Sequence, residues 1–310
     1  MAAPPARAAV SIDVDGVGCY YRIHGLGPPP PAHAETIAAR CVPRFLDLFA
    51  RRGLPATFFV VGADAEAEAS RAVFAAAHQA GHELGNHSHT HPYDLARAGA
   101  AVVADEIGRA DAALRAITGA AVAGFRAPGY DLSPTMLAEL VRRGYRYDSS
   151  IFPAPGYYAA KAAVMGALAV VGRPSGAVLT EPRALAAPID PYRPATGAPW
   201  RRGDAPLVEL PIAVTRGLRL PAIGTSLLLA PPWLARRLVE AMAPRPLFNF
   251  ELHGIDLADA QADGLPPALI ARQPDLRVPL STKLARLERV LDLIQARFEV
   301  ATLGACAAAA

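Results

Sequence analysis

The sequence predicts an α/β protein built on a mostly parallel sheet or barrel, and three observations carry the prediction. Short β-branched or aromatic runs alternate with Ala/Leu-rich helical stretches along 310 residues. Hydrophobic side chains make up 52% of the chain against 19% charged, enough to bury a large core and far from a disordered composition. Residues of metal-binding and acid–base type fall at the close of several strand-like runs, where α/β barrels carry their chemistry.

In order, the strands are expected at 9–14, 56–61, 83–87, 124–127, 145–149, 207–212, 247–253 and 299–303, with helices between most of them. Residues 35–52 carry Ile37, Cys41, Phe45, Leu48 and Phe49 at helical spacing, and Gly53 stands where a C-cap glycine belongs. Ser133 and Pro134 form an N-cap and first-turn pair that opens a helix closed by Gly144. A last long helix is expected over 281–298, with Leu284, Leu287, Val290, Leu291 and Ile294 as its apolar stripe. Between 153 and 206 the alternation fails, and Pro, Gly, Arg and Ala crowd a segment too long for an ordinary connection. It reads as a lid or insertion in a single domain spanning 9–305, flanked by a flexible tail at 1–8 and a frayed one at 306–310. Within it, 157–171 reads as one mostly apolar helix, either packed on the barrel as a lid or touching a membrane surface, although the second reading lacks a basic face.

The net charge of +3 is too weak to imply nucleic-acid binding. Cys19, Cys41 and Cys306 show no CxxC spacing, so neither a disulfide framework nor a cysteine metal site is expected, and a reducing compartment fits. The first ten residues lack the apolar run of a secretory signal, and no apolar stretch is long enough to span a bilayer. These readings point to the cytoplasm.

The chemistry-bearing residues sit in a few short motifs. Asp13 and Asp15 alternate in SIDVDG, so that one carboxylate points inward while the next lies just beyond the strand end; taken alone, such a pair is as readily a turn cap. The segment GHELGNHSHTHP holds His82, His87, His89 and His91, four of the chain's 8 histidines. His87 and His91 are four apart, a spacing that lets two imidazoles converge on one ion from a helical turn, and two histidines plus an aspartate form an open metal site. His82 and His89 are left outside the ligand set. Arg126 in FRAPGY, Asp148 in YRYDSS and His253 in FNFELHG each close an apolar run and have structural explanations when taken singly.

Together and in this order, SIDVDG, HSHTH, RAPGY, YDSS and FELH resemble the motifs of the polysaccharide deacetylases of the NodB-homology type, similar to carbohydrate esterase family 4. The resemblance spans about 11–303 and implies an irregular (β/α) barrel, usually of seven strands, with a divalent-metal-dependent deacetylase activity. It implies Asp13 as catalytic base, Asp15, His87 and His91 as metal ligands, Arg126 as the residue orienting Asp13, and His253 as general acid. A backbone N–H near Gly129 would stabilise the oxyanion, with Tyr130 beside it. The chain departs from the pattern in three places. Val14 separates aspartates that are commonly adjacent, Gly129 stands where an aromatic commonly follows the proline, and no Asp-Trp pair supports the general-acid histidine, leaving Asp148 as its substitute.

Zinc is the expected ion, with cobalt, nickel or iron able to satisfy the same ligands. The loop GCYYRIHG, with Tyr20, Tyr21, Arg22 and His24, and the insertion residues Trp200, Arg201 and Arg202 are candidates for substrate contact. The expected substrate is an N-acetylated amino sugar of a glycan or of a lipid- or nucleotide-linked precursor. The alternatives are another C–N bond, such as a formamide on a lipid-linked amino sugar or a small cyclic amide, and a carbohydrate-binding relic without turnover.

Overall fold

Among the described residues ten strands occur in chain order: β1 (Arg7–Val14), β2 (Thr57–Val60), β3 (Glu83–Asn86), β4 (Gly124–Phe125), β5 (Tyr147–Asp148), β6 (Pro194–Ala195), β7 (Ala198–Arg202), β8 (Val208–Glu209), β9 (Leu247–His253) and β10 (Glu299–Val300). They come from a computed structural model that describes residues 6–173 and 175–310. β1 lies parallel to β9 from Arg7 opposite Leu247 to Asp13 opposite His253, and parallel to β2 from Ser11 opposite Thr57 to Val14 opposite Val60. From β2 the parallel order continues through β3, β4 and β5 to β8. The Ala213 N–H, just past β8, donates to the Asn249 carbonyl of β9 at 3.2 Å, so seven parallel strands curl into a half-barrel. Short β10 pairs only with Arg7 and Ala8 at the foot of β1.

The pleat divides β1 into two sets. Val10, Ile12 and Val14 face the helices and join a core with Phe45, Leu287 and Leu291, whereas Ala9 turns inward with Phe59, Tyr147 and Leu210. Ser11 and Asp13 continue that inward row toward the mouth of the barrel. The same alternation in β9 sends Phe248, Phe250 and Leu252 outward and Asn249, Glu251 and His253 inward.

The covering helices follow their sequence signals. Helix Val42–Arg52 buries Val42, Phe45, Leu48 and Phe49 and ends at Gly53 with φ 61°. Helix Pro134–Arg143 starts where the Met136 N–H donates to Ser133 Oγ at 3.2 Å and stops at Gly144 with φ 77°. Helix Leu280–Gln295 buries Leu287, Val290, Leu291 and Ile294.

Several expectations are corrected. The helix expected over 35–52 opens with a π turn, Ile37–Cys41, next to Pro43, which has no N–H to bond back into that turn. GCYYRIHG is not a loop: Val17–Ile23 is helical and buries Val17, Cys19, Tyr20 and Tyr21. The insertion is ordered as helix Pro155–Val170, a short 3₁₀ turn and the antiparallel β6–β7 hairpin. Of the tail expected at 1–8, residues 1–5 lie outside the described residues, while Arg7 and Ala8 belong to β1 because β9 and β10 pair with them. The tail expected at 306–310 is helical through Ala307, and Cys306 is buried against the inner core. All three cysteines are free and buried. Among the described residues no helix is long and apolar enough to cross a membrane.

Candidate active site

Asp13 and Asp15 close β1 with both carboxylates buried, Asp13 on the inward row and Asp15 one step past the strand end. Parallel pairing places the ends of β3, β4 and β9 around them, so residues distant in sequence meet at one mouth of the barrel.

His87 and His91 bring their Nε2 atoms to 3.1 and 3.2 Å from the same oxygen, Asp15 Oδ1. Their convergence is not helical. The loop after β3 is bent by left-handed backbone at Ser88 and His91, with φ 61° and 55°. Buried side chains hold that bend: Asn86 Oδ1 accepts the Ser88 N–H, Ser88 Oγ accepts the His91 N–H, and the Glu106 carboxylate accepts the His89 and Thr90 N–H groups. The Arg22 guanidinium donates to the Thr90 and His91 carbonyls from outside. His87 Nδ1 lies 2.7 Å from the Arg126 carbonyl, which makes Nδ1 the protonated nitrogen and leaves the Nε2 lone pair facing Asp15.

These three residues suit a divalent cation. Asp15 Oδ1 is buried without a hydrogen-bond partner of its own, and its imidazole neighbours offer nitrogens of ligand type. Burial by itself would raise the Asp15 carboxyl, but His91 and His87 outweigh it and hold it well below the usual range. Burial pushes His91 down, toward the neutral imidazole that ligation requires. His82 and His89 stand apart from this cluster: His82 Nδ1 accepts the Ala56 N–H and its ring packs on Phe49 and Phe58.

Beside the ligand set lies a second cluster, Asp13, Glu251 and His253. Arg126 is fully buried, donates from Nη1 to Asp13 Oδ1 at 2.6 Å and from Nη2 to Ser11 and Ser149 Oγ, and stacks on Phe59. Those contacts fix one Asp13 oxygen and leave the other toward the cavity. His253 Nδ1 is 2.9 Å from Glu251 Oε1, and Nε2 is 3.1 Å from the Tyr130 hydroxyl. Burial disfavours the imidazolium, yet Glu251, joined by Asp15 and Asp13, pushes the His253 pKa well above its ordinary value. The sequence reading missed Glu251. The signal was present in FNFELHG, where a carboxylate two residues before an inward histidine shares its face of the strand. Asp148 does not take this role: it accepts the N–H and hydroxyl of Ser150 and faces Glu209, away from His253.

A cavity of about 400 Å³ opens over both clusters and is lined by Asp13, Asp15, His87, His91, Gly129, Tyr130 and His253. Tyr20, His24 and Tyr93 also reach it, and helix Pro155–Val170 closes its far side. Of the substrate-contact candidates, Tyr21, Arg22, Trp200, Arg201 and Arg202 do not line it. Tyr21 packs into the outer core, and Arg22 is spent on the histidine-loop carbonyls. Trp200 is likewise buried away from the cavity beneath the Arg183 guanidinium.

With this geometry in view, residues 33–147 match the family described as polysaccharide deacetylase. Two curated relatives are a peptidoglycan deacetylase of Helicobacter pylori, 29% identical over 46% of this chain and 48% of its own length, and a chitooligosaccharide deacetylase of Bradyrhizobium sp., 37% identical over 33% and 42%. The chain thus spans less than half the length of the curated relatives it matches. A crystal structure from Mycobacterium smegmatis, assigned to the polysaccharide deacetylases, superposes with TM-score 0.60 at 18% identity, covering 100% of this chain and 92% of that one. That likeness establishes the half-barrel fold as one the two proteins share. Over residues 33–147, then, the chain is similar to the polysaccharide deacetylases.

Proposed function

We propose that this protein is a divalent-metal-dependent hydrolase that removes the N-acetyl group from an amino sugar of a glycan or glycan precursor. One observation carries the reading: an Asp-His-His ligand set, a carboxylate gripped by a buried arginine and a histidine gripped by a buried glutamate share one cavity. The named deacetylase relatives supply the substrate class.

A cation held by Asp15, His87 and His91 would polarise an acyl oxygen and acidify a water, and zinc fits these ligands best, with cobalt, nickel or iron as alternatives. The chain's own groups do the rest. Asp13 accepts the proton of the attacking water, and Arg126 keeps its carboxylate aimed. Backbone N–H near Gly129 faces the oxygen on which charge develops. His253, charged through Glu251, gives its Nε2 proton to the departing amine, which cannot leave as an anion. The Tyr130 hydroxyl steadies Nε2 until then, and burial keeps that phenol protonated. Tyr20 and Tyr130 offer ring faces to the sugar. The three free buried thiols suit a reducing, cytoplasmic setting.

The test is a screen of zinc-loaded protein for acetate and formate release from N-acetylated and N-formylated sugars, from monosaccharide to chitin oligosaccharide and lipid-linked forms. Acetate release supports the reading. Formate alone, or neither acid from folded, metal-bound protein, contradicts it.

A further inference from the structure

The cavity has two unlike walls. One carries the clusters described above. The other is dominated by Val164, Met165 and Leu168 of helix Pro155–Val170 with Ile23 and Ala177, and on that helix only the Tyr157 hydroxyl and the Lys161 ammonium interrupt it. Two polar side chains beside that wall are engaged elsewhere: Ser175 Oγ donates to the Ile23 carbonyl, and His24 Nε2 pairs with Gln273 Oε1 at 2.9 Å. A glycan chain laid along Val164, Met165 and Leu168 would lose water from its hydroxyls and find few partners for them, a cost that an aliphatic group does not meet.

The apolar surface also leads outward. Val164 and Leu168 lie four apart on one helix face, and beyond them Val170 and Val171, where the helix ends, are 88% and 65% exposed. The helix residues that line the cavity, from Tyr157 to Leu168, span about 16 Å along the axis, longer than a single sugar ring.

We propose that the helix Pro155–Val170 wall is a subsite for an aliphatic chain carried by the substrate, so that the acylated amino sugar sits at the clusters and its alkyl or isoprenyl aglycone leaves along Val164, Leu168 and Val171. This rests on the neighbouring clusters being the hydrolytic site. It narrows the substrate class to an amphiphilic glycoside and gives the insertion a role.

The experiment compares methyl and dodecyl glycosides of N-acetylglucosamine, below the micellar concentration of the second, on the zinc-loaded full chain. Affinity is measured by calorimetry and acetate release in parallel. The dodecyl glycoside should bind at least tenfold tighter than the methyl one, since burying a few methylenes suffices for that ratio. Val164→Ser and Leu168→Ser, made separately so that one misfolded variant does not decide the matter, should each collapse the ratio toward one. Equal affinities in the unaltered chain, or a preference retained by both folded variants, would overturn the subsite. A chain-length preference that the variants abolish, with no acetate released from either glycoside, would uphold the subsite and count against the deacetylase reading alone.

Discussion

His253 keeps its proton because Glu251 lies 2.9 Å from Nδ1, within a strand whose alternation leaves no third residue on that face between them. In the proposed role of general acid it works only while protonated, so activity should persist up to its raised pKa and fall as pH rises through it. Glu251→Gln removes the charge that raises it. The alkaline limb of the kcat profile should then move to lower pH, with kcat at pH 8 down by about 10- to 100-fold; an unmoved limb would deny Glu251 this role. At the ligand set the expected effect is different in kind. His87→Ala should cost the bound ion, read as metal content after dialysis, while the fold survives, since the bend of the loop is held by Asn86, Ser88 and Glu106 rather than by the imidazole.

Among the elements, β4 and β5 show how tightly the barrel wall is drawn. A Cβ at Gly124 would overlap the Tyr147 ring, which is fully buried on the inner face and cannot swing aside. Gly124→Ala should destabilise by about 1–3 kcal/mol as overpacking does, measured by denaturant unfolding, and a neutral result would show that the ring has room. At this scale the sequence was most legible where periodicity and caps agree. The strand at 247–253 and the helix between Ser133 and Gly144 came through with their ends intact, because alternation, an N-cap serine and a C-cap glycine are local signals. The meeting of Asp15, His87 and His91 was legible by residue type and order, but the turn that joins the histidines was not: their spacing suggested a helix, and the bend depends on Glu106, which lies in a later helix. The β6–β7 hairpin also escaped, because its pairing is antiparallel, irregular and set in a Pro-rich segment where alternation is lost. The apolar wall of the site came from helix Pro155–Val170, whose direction only tertiary packing decides.

Across the whole molecule, polar residues run through the barrel from its mouth to its closing edge: Asp13 to Arg126, Arg126 to Ser11 and Ser149, and both serines to Asn249, whose amide reaches the Leu210 carbonyl beyond β8. Near that edge Glu209 faces Asp148, and burial together with the Asp148 charge raises the Glu209 pKa well above the ordinary range. A carboxyl raised on folding contributes stability that is fully present below its unfolded value, near 4.3, and is lost as pH rises through the folded one. Thermal stability should therefore decline from acid toward alkaline pH. Glu209→Gln, which keeps an acceptor for the Ile151 N–H and offers a donor to Asp148, should flatten that decline and gain about 1–2 kcal/mol at pH 8. An unchanged slope in the variant would place the pH dependence elsewhere. The site at the opposite end of this network carries the account's main claim, that metal binding and proton transfer are separate duties of Asp15 and Asp13. The most direct measurement is acetate release by the zinc-loaded chain and by Asp13→Asn at matched zinc content, on one N-acetylated glycoside. Equal zinc is expected in both, with at least about a hundredfold loss of turnover in the variant; turnover retained with zinc bound would contradict a separate proton-transfer duty for Asp13.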